Sequence, residues 1–163
     1  MESVLRDPVT AYVAIGANLG DALQTVVWAF EALAHLPDTH VTGRSRLYRT
    51  APHEAQGPDF VNAVAQIETR LTAPAVLDAL QALENQAGRQ RPYPNAPRTL
   101  DLDLLFYGQA RMDSARLTLP HPRWRERAFV LYPLADLAQD KVRAEDLARV
   151  SGQGVRVLPE GKP

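Results

Sequence analysis

The chain has 163 residues and a mass of 18.0 kDa, with 45% hydrophobic and 23% charged residues and a formal net charge of −1. That length is expected to give one domain over 1–163, with a core at about 10–140 and a tail at 141–163. The near-neutral charge argues against an electrostatic grip on nucleic acid, and the absence of cysteine excludes disulfides, thiolate zinc sites and thiol nucleophiles.

Residues 10–15 are β-branched, small or aromatic and end at Gly16, which predicts a first strand. Asp21 is placed to cap a helix over 22–36, with Leu23, Val26, Val27, Phe30, Leu33 and Ala34 on one stripe and Pro37-Asp38 as its stop. A second strand is expected over 41–49, and a loop over 50–58, where two prolines and a glycine fall. Residues 60–69 alternate and predict a third strand. Thr72 caps a helix over 72–87 that has Pro74 in its first turn and Gly88 after its end. Residues 90–97 carry three prolines and predict an irregular loop; residues 99–107 predict a fourth strand ended by Gly108. A helical stretch from about Arg125 is expected to be interrupted at Pro133, with a second short helix and a short strand at 155–158 after it. The order βαββαβ is that of a ferredoxin-like α+β fold, with a mainly antiparallel sheet, helices packed on it and C-terminal additions.

The strongest local signal is Arg98-Thr99-Leu100-Asp101-Leu102-Asp103-Leu104-Leu105. On a strand, Leu100, Leu102, Leu104 and Phe106 share one face, and Asp101 and Asp103 project together from the other. Two adjacent carboxylates repel and call for cations. Oxygen ligands without thiolate favour a hard ion such as Mg²⁺. Arg89, Arg91 and Arg98 flank the proline-rich loop, and His121, Arg123, Arg125 and Arg127 form a second basic segment. Arginines beside a carboxylate pair suggest a polyphosphate. The plainer alternative is an amphipathic strand with solvated aspartates beside a solvated basic face. No Walker loop, G-x-G-x-x-G, H-E-x-x-H or G-x-S-x-G motif occurs.

Pro97-Arg98-Thr99-Leu100-Asp101-Leu102-Asp103 resembles the signature of the 6-hydroxymethyl-7,8-dihydropterin pyrophosphokinase family. Further matches follow in order: 12–20, Tyr48-Arg49-Thr50-Ala51-Pro52, Phe60-Val61-Asn62-Ala63, Leu83-Glu84 with Gly88-Arg89, 117–122 and 127–131. The resemblance implies pyrophosphate transfer from ATP to the hydroxymethyl group of the pterin, with release of AMP, on a ferredoxin-like fold. It implies two Mg²⁺ ions held by Asp101 and Asp103, and a triphosphate contacted by Arg89, Arg91, Arg98, His121 and Arg127. Gln81, Glu84, Leu104 and Thr118 match positions near the nucleotide. Thr50, Pro52, His53, Phe60, Asn62 and Phe129 match the pterin site. In this chain Phe60 stands where tyrosine is usual, and Pro94 where a charged residue is frequent.

Two other readings remain at this point: a non-catalytic ferredoxin-like module binding RNA or a small ligand, and another D-x-D metal-dependent transferase. RNA readers of this shape display aromatics on the central strands over a basic surface, whereas the fourth strand here displays aspartates. No apolar run approaches the length of a membrane span, and the first residues lack the layout of a signal peptide. The expectation is a cytoplasmic monomer with no nucleic-acid or membrane partner.

Overall fold

The computed structural model describes residues 6–51, 58–88 and 100–159. Its elements in chain order are β1 Val9–Ala17, α1 Ala22–Ala34, β2 Thr39–Arg44, β3 Tyr48–Thr50, β4 Phe60–Thr69, α2 Ala73–Ala87, β5 Asp101–Tyr107, β6 Met112–Asp113, β7 Thr118–Leu119, α3 Ala128–Leu137, α4 Ala144–Arg149 and β8 Val155–Val157. One sheet runs β5-β1-β4-β3-β8, with β2 also paired to β4; β6 and β7 form a separate hairpin. All of these pairings are antiparallel. The order β5-β1-β4-β2 is the ferredoxin-like arrangement, and β3 and β8 extend it. Among the described residues no helix is long and apolar enough to cross a membrane.

The helix caps act as read, but Val27, placed on the apolar stripe of α1, is exposed, and Ala29 is buried there instead. The Asp21 side chain accepts from the Gln24 N–H, and the Thr72 hydroxyl accepts from the Ala75 N–H. Val26, Ala29, Phe30 and Leu33 of α1 and Val76, Leu80 and Leu83 of α2 pack on one sheet face, against Val13, Ile15, Ile67, Leu102 and Leu104. The opposite face carries Tyr12, Val64, Leu105 and Phe106 and is covered by Val130, Leu131 and Leu134 of α3.

Three expectations are corrected. The strand read over 41–49 is two strands, because the ladder to β4 is broken at Ser45. There the Ser45 N–H donates to the Val64 carbonyl (2.9 Å), and the Ser45 hydroxyl, not a backbone carbonyl, accepts from the Val64 N–H (2.8 Å). Phe106 does not share a face with Leu100, Leu102 and Leu104. The register of β1 and β5 shifts between Tyr12↔Phe106 and Val13↔Leu104, and the extra residue, Leu105, reverses the alternation. Pro133 does not interrupt the helix. It lies inside α3 and is buried with Val130, Leu131 and Leu134, and that packing outweighs a lost backbone hydrogen bond.

Candidate active site

Residues directly opposite in an antiparallel sheet point to the same face. Asp101 pairs with Gly16, Gly16 with Asn62, and Asn62 with Tyr48. Asp103 pairs with Ala14, and Ala14 with Val64. The pairing Thr50↔Phe60 lies one step further along the same face. Asp101, Asp103, Asn62, Phe60 and Thr50, singled out in separate stretches of sequence, therefore share the sheet face on which α3 packs.

The residues of β1 that stand between them, Gly16 and Ala14, are small. A Cβ added at Gly16 would stand 3.1 Å from Asn62 Oδ1, so a larger residue there would press on the amide. The Asn62 amide nitrogen donates to the Thr50 hydroxyl at 2.5 Å, and both residues are buried. Asp101 is exposed and Asp103 half-buried. Phe129, in the first turn of α3, packs at the border of the apolar cluster on this face, with the Arg127 guanidinium 5.6 Å from its ring centre.

Around the edge of β5 lies a cavity of about 240 Å³. Asp103, Leu104, Thr118 and His121 line it, together with Leu77 of α2 and Ser114 and Arg116 of the β6–β7 turn. Arg116 is ion-paired to Asp78 of α2. Glu84 accepts from the Leu102 N–H (2.8 Å), which fixes the strand between the two aspartates. Gln81, on the same helix, is exposed. The His121 backbone N–H donates to the Leu105 carbonyl (2.9 Å), and the ring Nδ1 accepts from the Arg123 backbone N–H at 3.1 Å. That contact makes Nδ1 the acceptor and places the ring proton on Nε2. Burial pushes the His121 pKa down; Asp103 opposes this, and Arg127 and Arg123 add to it. Burial thus favours the neutral imidazole beside Asp103.

The structure therefore joins Asp101, Asp103, Thr50, Phe60 and Asn62 on one face and Asp103, Leu104, Thr118 and His121 in one cavity. Pro52, His53, Arg89, Arg91 and Arg98 lie outside the described residues. Leu77, Ser114 and Arg116 were not singled out in the sequence. The turn of Ser114 and Arg116 has no motif, and only Leu117-Thr118 beside it carries a signal.

An antiparallel α+β sheet with a carboxylate pair, a nearby cavity and a buried hydrogen-bonded amide on one open face defines a site for small polar molecules. Comparison with known proteins makes the class specific. The family model for 7,8-dihydro-6-hydroxymethylpterin-pyrophosphokinase matches residues 12–139. A 2-amino-4-hydroxy-6-hydroxymethyldihydropteridine pyrophosphokinase of Pseudomonas aeruginosa is 44% identical over 156 residues, covering 91% of this chain and 96% of its own. Proteins of the same name from Haemophilus influenzae and Bacillus subtilis are 43% and 37% identical, covering 82% and 90% of this chain and 84% and 89% of their own. A solved structure described as HPPK-DHPS in complex with substrates superposes with a TM-score of 0.62 at 11% identity, over 80% of this chain and 40% of that one, and supports the fold. The chain belongs to the 7,8-dihydro-6-hydroxymethylpterin-pyrophosphokinase family. That membership sets aside the RNA-binding and other-transferase readings.

Proposed function

We infer that the chain transfers a pyrophosphoryl group from ATP to the hydroxymethyl group of 6-hydroxymethyl-7,8-dihydropterin, in folate biosynthesis. The observation that carries this reading is the shared face of Asp101, Asp103, Asn62 and Thr50, in a chain of this family. In the reaction the substrate hydroxyl oxygen bonds to the β-phosphorus of ATP. The bond from that phosphorus to the oxygen bridging to the α-phosphate breaks, AMP leaves with the electron pair, and the hydroxyl proton is released.

Asp101 and Asp103 fit two Mg²⁺ ions. Their donors are hard oxygens, and the small residues Gly16 and Ala14 stand opposite them. Among the described residues no cluster of three or more acidic or histidine side chains forms a cage. Mg²⁺ accepts such a site, taking its remaining ligands from phosphate and water. When bound, the ions neutralise phosphate charge and align the reacting oxygens. In our reading the cavity bordered by Leu104, Thr118 and His121 takes the nucleoside, with Gln81 and Glu84 behind it. His121 and cationic Arg127 face the phosphates, and Arg89, Arg91 and Arg98 join Arg127 as their cationic partners. Asn62 and Thr50 read the polar edge of the pterin, Phe60 and Phe129 offer ring faces, and Pro52 and His53 are assigned to the same pterin set by the family resemblance. We read residues 1–163 as one domain acting as a cytoplasmic monomer without nucleic-acid or membrane partners, which accords with the family and the chain's small net charge.

The test is incubation with ATP, Mg²⁺ and reduced hydroxymethylpterin, followed by product separation. AMP and a pterin diphosphate are expected; ADP as the main nucleotide product would reject pyrophosphoryl transfer.

A further inference from the structure

The segment after residue 139 lies beyond the family match, yet it touches both walls of the candidate pterin site. After α4 and a 3-10 turn at Ser151–Gln153, Gly154 takes a left-handed conformation (φ +74°) and turns the chain into β8. There Val155 pairs with Thr50 and Val157 with Tyr48. The residue just before that turn, Gln153, reaches the opposite wall. Its Oε1 accepts from the Ala128 N–H at 2.9 Å, and its Nε2 donates to the Glu126 carbonyl at 3.0 Å. One bond needs an acceptor and the other a donor, so a single orientation of the amide satisfies both.

These two backbone groups flank Arg127. The Ala128 N–H belongs to the first turn of α3, where no intrahelical acceptor exists, and Arg127, the residue at the cap position, supplies no side-chain cap. Gln153 fills that role from 25 residues away. It thereby fixes the backbone on both sides of Arg127 and immediately before Phe129, the pair whose side chains lie together.

We propose that Gln153 is a positioning residue that sets Arg127 and Phe129 for the substrates through the Glu126 carbonyl and the Ala128 amide; this rests on the function inferred above. Gln153 is exposed, so Gln153→Ala is expected to fold. In the full chain without ligand, hydrogen exchange followed by NMR should show loss of Ala128 amide protection in Gln153→Ala. Steady-state kinetics should show KM for the pterin raised about three- to tenfold, the range of one or two lost hydrogen bonds, with a smaller change in kcat. Gln153→Glu keeps the acceptor for Ala128 but loses the donor for Glu126, and should fall between the wild type and the alanine variant in both measurements. Unchanged Ala128 protection in Gln153→Ala overturns the clamp whatever the activity. Lost protection with wild-type KM, or a lowered melting temperature alone, overturns the positioning role. A wild-type protein without pyrophosphoryl transfer would instead defeat the function reading, and the amide measurement would still judge the clamp.

Discussion

On one face of the sheet, α1 and α2 cover a continuous apolar surface from Ala11 and Val13 to Ile67 and Leu104. On the other, α3 covers Tyr12, Val64, Leu105 and Phe106, while the neighbouring row Asp101–Gly16–Asn62 stays outside that apolar cluster. The same three strands, β5, β1 and β4, build both faces. A fully covered face excludes unpaired polar groups, because burying one without a partner costs about 1 to 3 kcal/mol. A face with polar rows beside its covering helix can keep carboxylates at the border of water. With the function proposed above, the contrast puts stability mainly on the first face and substrate chemistry on the second.

The largest test of that division is Asp103→Ala, with Asp101→Ala as its companion. Each is expected to lower turnover about 10²- to 10³-fold or more, as removal of transition-state charge stabilisation does, with an unchanged melting temperature. Near-normal rates of AMP release would return the pair to a solvated strand face. On the apolar face, Leu80→Ala should do the opposite: lose about 2 to 5 kcal/mol in urea unfolding and leave both KM values unchanged. A specific rise in KM for the pterin would break the comparison. Asn62→Ala and Phe129→Ala are expected to weaken pterin binding by about 1 to 3 kcal/mol, with ATP affinity less affected; equal losses for both ligands in calorimetry would contradict it.

The smallest effect concerns the tie between β3 and α3. Burial opposes the charge of Asp136, but hydrogen bonds from Arg46 and Tyr48 outweigh it and hold the carboxyl below its ordinary value. Burial, with the bond to Asp136, pushes the Tyr48 hydroxyl up to about 12. The depressed Asp136 value adds stability that is present above the unfolded carboxylate pKa of about 3.9 and lost as pH falls through the folded value. Asp136→Asn should cost about 1 kcal/mol at pH 7, with the gap to the wild type closing below about pH 4. A gap that persists undiminished at pH 3 would show that packing, not charge, ties the two elements.

The parts legible in sequence were those set by local chemistry. Asp21 and Thr72 cap where their side chains suggest, and the alternation of Asp101 to Leu104 places both carboxylates on one face. The parts that were not legible depend on a partner strand or helix. The bulge at Leu105 is a mismatch between β5 and β1 and leaves no mark in β5 alone. The break at Ser45 comes from a side-chain oxygen facing Val64. Pro133 survives in a helix because that helix is buried. The Asn62–Thr50 bond joins residues 12 apart in the chain, and Gln153 sits in a stretch without periodicity. The cavity wall of Leu77, Ser114 and Arg116 comes from two elements that meet only when folded.

The row Asp101–Gly16–Asn62 also turns the sheet into a ruler. Neighbouring strands are about 4.8 Å apart, so the carboxylate strand and the amide strand are separated by about 10 Å at the Cα atoms, two strand widths. That separation comes in whole strand spacings and is held by backbone ladders, so it does not depend on rotamers or on the lengths of the loops around it. Insertions in those loops can leave it unchanged. A slip of β1 by a single residue cannot: it would bring Ile15 or Ala17 into the row where Gly16 stands, and reverse the faces of every side chain on that strand. Tolerance to change should therefore be wide in the loops and close to zero in the register of β1.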